Sequence, residues 1–80
     1  MIRVLFFGPV AERIGTRRIE VDFRQGLRWQ DVYSELCARH GEAFSLVSIV
    51  AVNGRRVDEQ DDTPLADGAE VVFMSAFSGG

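Results

Sequence analysis

Met1-Ile2-Arg3-Val4-Leu5-Phe6-Phe7 decides the fold. In an extended chain Ile2, Val4 and Phe6 share one face and Arg3, Leu5 and Phe7 the other, so both sides of this strand are largely apolar. A strand that must hide both faces lies inside a sheet and not at its edge. Gly8-Pro9 breaks the pattern, and residues 10–14 have room for only a turn or so of helix before Gly15 stops it. Alternation returns over residues 18–23, with Ile19, Val21 and Phe23 facing one way. The short connection makes this second strand antiparallel to the first.

Gln25-Gly26 then turns the chain into one convincing helix. Trp29, Val32, Tyr33, Leu36, Cys37 and His40 form a single stripe at the helical period, and Gly41 is placed to terminate it. Neither Leu27 nor Arg28 offers a capping acceptor, so the helix start is poorly capped, with Asp31 compensating at the positive end of the dipole. A second short turn over residues 42–46 precedes the β-branched strand Ile49-Val50-Ala51-Val52. Asn53-Gly54 is a strong tight-turn signal leading into Arg55-Arg56-Val57. Residues 58–62 are acidic and carry no structure signal. Thr63-Pro64-Leu65-Ala66 reads as a capped single turn, and Asp67-Gly68 as another. The last strand covers residues 69–77, with Val71, Phe73, Ser75 and Phe77 on one face and Val72, Met74 and Ala76 on the other. The expected order is β-β-α-β-β-β: a two-layer α+β domain over residues 1–80, with a small mixed sheet of about five strands on one main helix.

Composition narrows the function. At 80 residues the chain buries a modest fraction of its surface and needs a dense core, which 46% hydrophobic residues with six Phe allow. A single cysteine permits no disulfide framework, no apolar run of membrane-spanning length occurs, and the opening enters structure at once instead of showing a signal-peptide pattern. A cytoplasmic protein away from membranes is expected. A net charge of −3 argues against nucleic acid, which needs a basic stripe. Arg17-Arg18 and Arg55-Arg56 read as solvated turn and strand-edge charges, with a patch for an acidic protein partner as the alternative. All nine basic residues are arginine. Mutational or codon bias is the plain explanation; the functional alternative is that a protein with an activated acyl terminus gains by owning no ε-amine.

The end of the sequence is the most informative feature for function. Ser78-Gly79-Gly80 follows the last strand directly, and two closing glycines should occur by chance in roughly one chain in 200. Glycine has no Cβ, so such a tail enters a channel too narrow for any side chain, and the Gly80 carboxylate is the least hindered acyl group of the protein. The plain alternative is a frayed end with no role. Residues 78–80 are expected to be mobile in the free protein.

Taken in order, Met1-Ile2-Arg3-Val4-Leu5-Phe6-Phe7, Arg13-Ile14-Gly15-Thr16, Ala51-Val52-Asn53-Gly54, Pro64-Leu65-Ala66-Asp67-Gly68, Glu70-Val71 and Gly79-Gly80 resemble the ubiquitin-like sulfur carriers, most of all the small subunit of molybdopterin synthase. The resemblance runs the whole chain and is least specific in the helix. It implies a β-grasp fold with the first and last strands parallel at the sheet centre. It also implies that Gly80 is adenylated by an activating enzyme using ATP, converted to a thiocarboxylate with sulfur from a sulfurtransferase, and inserted with Gly79 into a larger partner subunit. No bound cofactor or metal is implied. In one respect the chain departs from the molybdopterin type, which often carries two prolines before the last four residues, where this chain has Ser75-Ala76. Proline would stiffen the approach to the tail, so a looser root is expected. Carriers for tRNA thiolation, thiamin or cysteine synthesis remain open beside a ubiquitin-like modifier and a non-covalent binding module.

An enzyme reading finds little. Cys37 and His40 lie on the core-facing stripe, where cysteine is an inert small hydrophobe, and Asp58, Glu59, Asp61 and Asp62 read as a solvated loop. Docking is the better use of the surface. With the helix covering one sheet face, Leu5, Phe7, Val72, Met74 and Ala76 should stand exposed on the other, continuing into Phe77 and Ser78, while Ile2, Val4, Phe6, Val71 and Phe73 join Trp29, Val32 and Leu36 in the core.

Overall fold

The first strand is central. In the computed structural model, which describes residues 1–76, β1 (Ile2–Phe6) pairs on one side with β2 (Arg18–Val21) and on the other with β5 (Glu70–Met74). Beyond β5 lie β3 (Ile49–Val52) and β4 (Arg55–Val57), giving the order β2-β1-β5-β3-β4. Only β1 and β5 are parallel, with Leu5 opposite Val72; the other pairs are antiparallel. This is the mixed five-stranded β-grasp sheet, its first and last strands parallel at the centre.

One layer of helix covers one face. α1 (Gly8–Ile14) fills the first connection, and α2 (Trp29–His40) crosses the sheet, followed by a 3₁₀ segment at Gly41–Leu46. Ile2, Val4, Phe6, Val71 and Phe73 are fully buried against Trp29, Val32 and Leu36, as the alternation predicts. Phe44, from the 3₁₀ segment, completes an aromatic cluster, lying edge-on to Phe6 at 5.9 Å and to Phe73 at 5.3 Å. Such pairs add about 0.5–1.5 kcal/mol each beyond area burial.

Local departures from the sequence reading have local causes. Gly8-Pro9 ends β1 as expected, and Pro9 then sits in the first turn of α1, where its missing N–H costs nothing, so the helix is longer than the turn or so foreseen. The start of α2 is better capped than expected, because the Asp31 carboxylate accepts a hydrogen bond from the Arg28 N–H at 2.9 Å, the reciprocal half of a capping box. Gly41 ends the helix at φ 53°, its N–H on the Cys37 carbonyl. Residues 63–66 do not form a helical turn. Leu65 is buried and donates its N–H to the Leu27 carbonyl at 2.7 Å, which ties the segment to the start of α2 in place of a local turn. Asn53 and Gly54, at φ 51° and 81°, make the tight hairpin that their pairing foretells. β2 stops at Val21, opposite Ile2, where its partner begins. β5 stops at Met74 for the same reason: β1 ends opposite Phe73 and β3 begins opposite Met74, leaving no strand to pair with later residues. No helix among the described residues is long and apolar enough to cross a membrane.

Phe73→Ala should cost about 3–5 kcal/mol in urea unfolding, since it opens a cavity among Phe6, Tyr33 and Phe44. Phe7→Ala, at a residue 47% exposed, should shift stability by no more than about 0.5 kcal/mol. Equal losses would show that the two faces are wrongly assigned.

Candidate functional site

The sheet has a second face, and no element of the described chain covers it. Leu5, Val72, Ala51, Ile49 and Met74 all stay outside the core cluster, while their strand neighbours Val4, Phe6, Val50, Val71 and Phe73 belong to it. Register brings them together, Leu5 beside Val72 and Val72 beside Ala51, with Ile49 beside Met74. Leu5 and Met74 are half-buried, and Phe7 and Ala76 are exposed. The result is a continuous apolar patch at the end of the sheet from which the chain runs toward Gly80.

Val72 corrects the expectation of a fully exposed set. It is only 7% exposed, because a short β-branched side chain at the centre of the sheet is walled in by Leu5 and Ala51 on the flanking strands. It forms the floor of the patch, and Met74, Leu5 and Phe7 its relief. Ile49 and Ala51 belong to the patch and were not anticipated. Their alternation with Val50 and Val52 was visible, but the face they occupy depends on β3 pairing with β5, which one sequence does not reveal.

The last described residues are held firmly. The Ser48 N–H donates to the Met74 carbonyl at 3.0 Å, and the Ala76 N–H donates to Ser48 Oγ at 2.7 Å. Ser75 is only 5% exposed and turns inward, as its parity with Phe73 requires. A looser root is expected from the lack of prolines; in the structure the Ala76 N–H has a partner in Ser48 Oγ. A proline at position 76 would have no N–H for Ser48, so a hydrogen bond here replaces ring stiffness. Phe77, Ser78, Gly79 and Gly80 lie outside the described residues.

The remaining candidate side chains serve the fold. Cys37 is half-buried against the core, and His40 stacks on Phe44 with 6.3 Å between centroids and 16° between planes. Burial first, and then the hydrogen bond with the Cys37 side chain, hold the Tyr33 phenol above its ordinary 10.0. Asp58 Oδ1 accepts from the Gln60 N–H at 2.9 Å and Asp61 Oδ1 from the Thr63 N–H at 3.1 Å, so both close local turns.

A parallel first and last strand at the centre of a mixed sheet, with one main helix over one face and a bare apolar patch on the other, define the ubiquitin-like β-grasp fold. The chain belongs to the ThiS family, whose model matches residues 4–80. Among solved structures it is similar to a putative molybdopterin converting factor, subunit 1, from Pyrococcus furiosus, with 27% identity and a TM-score of 0.76 over 92% of this chain and 94% of that one. It also resembles SAMP1 from Haloferax volcanii, with 22% identity and a TM-score of 0.79 over 99% and 98% of the two chains. A third similar structure is the complex of subunits 1 and 2 of molybdopterin-converting factor from Helicobacter pylori, at 22% identity and TM-score 0.67 over 99% and 97%. At 22% the likeness is one of fold. A search of curated proteins gave no match.

Met74→Asp should leave the fold in place, lowering stability by no more than about 1 kcal/mol in thermal unfolding, because the side chain stands on the open face. Ser48→Ala should cost roughly 1 kcal/mol and be non-additive with Ala76→Pro, which removes the other end of the same bond. Additive losses would mean that the bond does not hold the end of β5.

Proposed function

We propose that this chain is a sulfur carrier serving molybdenum cofactor biosynthesis. Gly80 is adenylated by an activating enzyme with ATP, a sulfurtransferase-derived sulfur displaces the adenylate, and the resulting thiocarboxylate donates its sulfur to a pterin precursor held by a larger partner subunit. The observation that carries this reading is the position of the patch. β5 sends the chain out of the sheet at Met74 to Ala76, beside Leu5, Phe7 and Ile49, so a partner that grips the patch also receives the residues running to Gly79-Gly80. The patch is apolar and offers no acid, base or nucleophile, which suits docking and leaves the chemistry to the partner. Similarity to the Pyrococcus protein over nearly the whole chain supports the pterin pathway. The subunit 1–subunit 2 complex supports a larger subunit as the partner; in this proposal one carrier docks at each end of a large-subunit dimer.

A second reading has an observation of its own. Ala76 uses its N–H on Ser48, an arrangement closed to the proline-bearing tails of the molybdopterin type, and this favours a carrier for tRNA thiolation, thiamin or cysteine synthesis. The likeness to SAMP1 and the lack of lysine suit a modifier attached singly to its targets.

Mixing the thiocarboxylated protein with the large subunit and the cyclic pterin precursor should yield the dithiolene, and deletion of Gly80 should abolish transfer while leaving the melting temperature unchanged. If no dithiolene forms while a tRNA or an activated serine accepts the sulfur with its own enzyme, the molybdenum assignment is wrong. Adducts on other proteins, without oxygen-for-sulfur exchange at the terminus, would establish the modifier.

A further inference from the structure

The paired arginines acquire a place once the register is known. Arg18 stands opposite Leu5, Leu5 opposite Val72, Val72 opposite Ala51 and Ala51 opposite Arg56. Ile19, Val50 and Val57, their strand neighbours, pack against the core, so this row lies on the open face. One line of side chains therefore crosses all five strands, apolar in the middle and ending in a guanidinium on each edge strand. At about 4.8 Å per strand the two arginine Cα atoms are roughly 19 Å apart.

The neighbouring row, farther from Met74, reads Glu20, Arg3, Glu70. Arg3 lies 3.9 Å from Glu70 and Arg18 3.8 Å from Glu20, long contacts between exposed groups that hold neither arginine tightly. Arg56 makes no ion pair among the described residues. These two rows carry three arginines against two carboxylates in a chain whose net charge is −3, while Asp58 and Asp61 lie beside Arg56 at the β4 edge without pairing with it.

We propose that Arg18 and Arg56 are a two-point electrostatic clamp at the rim of the docking face, and that its occupant is a protein presenting an apolar prominence flanked by two acidic side chains at matching separation. This rests on the docking reading above and adds the charge pattern that selects the partner. A nucleic acid fits poorly, since Glu20 and Glu70 would face its phosphates one row away. A second copy in register would lay arginine on arginine. Rim charges act chiefly on the rate and register of encounter, while the buried apolar contacts set the lifetime of the complex.

The test measures association and dissociation rates of the full-length chain with two purified probes, the large subunit of molybdopterin converting factor and the activating enzyme from the same cell, at about 50 and 300 mM salt. Arg18→Glu/Arg56→Glu is compared with Arg13→Glu/Arg39→Glu, which makes the same change in net charge at exposed positions of α1 and α2. Loss of the clamp should slow association roughly tenfold at low salt and flatten its salt dependence, with dissociation and melting temperature near wild type. The helix-side variant should change the rate far less, and Arg18→Lys/Arg56→Lys should keep it. Equal slowing by both charge reversals would assign the effect to net charge and overturn the clamp, as would no slowing by either. If the wild-type chain binds neither probe, the docking reading fails and the clamp falls with it.

Discussion

The parallel pairing of β1 with β5 is the constraint on which the rest depends. Parallel neighbours cannot be joined by a tight turn, so the whole intervening chain becomes their crossover, α2 included. Two central strands flanked on both sides must be apolar on both faces, and a chain this short has one main helix with which to cover them. One face becomes the core of Phe6, Phe44, Phe73 and Leu36; the other stays bare. The apolar patch is thus a consequence of topology. What turns it from a liability into a site is that β5, the strand at its centre, is also the one that leads to Gly79-Gly80.

Legibility followed the range of the forces involved. Strong local patterns were readable: the double-faced alternation of residues 1–7, the stripe from Trp29 to His40, and the Asn53-Gly54 hairpin, whose two positive φ values only a few residue types tolerate. Features set by distant partners were not. Where β5 ends depends on where β1 and β3 run out, and whether residues 63–66 coil depends on the Leu27 carbonyl. Among the site residues, Leu5, Phe7 and Met74 followed from parity together with the family resemblance. Val72 was placed on the right face with the wrong exposure, because burial at a sheet centre comes from neighbours that sequence order does not name. Ser48 gave no signal at all, being one hydroxyl among several.

Chemistry and recognition are separated along the chain. Cys37 and His40 are committed to packing, and Asp58 and Asp61 to closing turns, so the apolar patch itself carries no group that could react. Recognition falls instead to shape and charge, an apolar relief of Leu5, Phe7 and Met74 between two edge arginines. In this account an acyl group is delivered by a surface that takes no part in its chemistry, and one carrier fold can serve several acceptor enzymes by altering its rim.

The central claim is that the bare sheet face, and not the helical layer, meets the partner. Methyl-resolved NMR of the labelled chain titrated with the large subunit of molybdopterin converting factor tests it most directly. The account predicts broadening and shifts at Leu5, Ile49, Val72, Ala51 and Met74, with Val32 and Leu36 beneath the helix unmoved. Perturbation on the exposed side of α2, at the Ala38 methyl, with the open-face methyls unchanged, would contradict it.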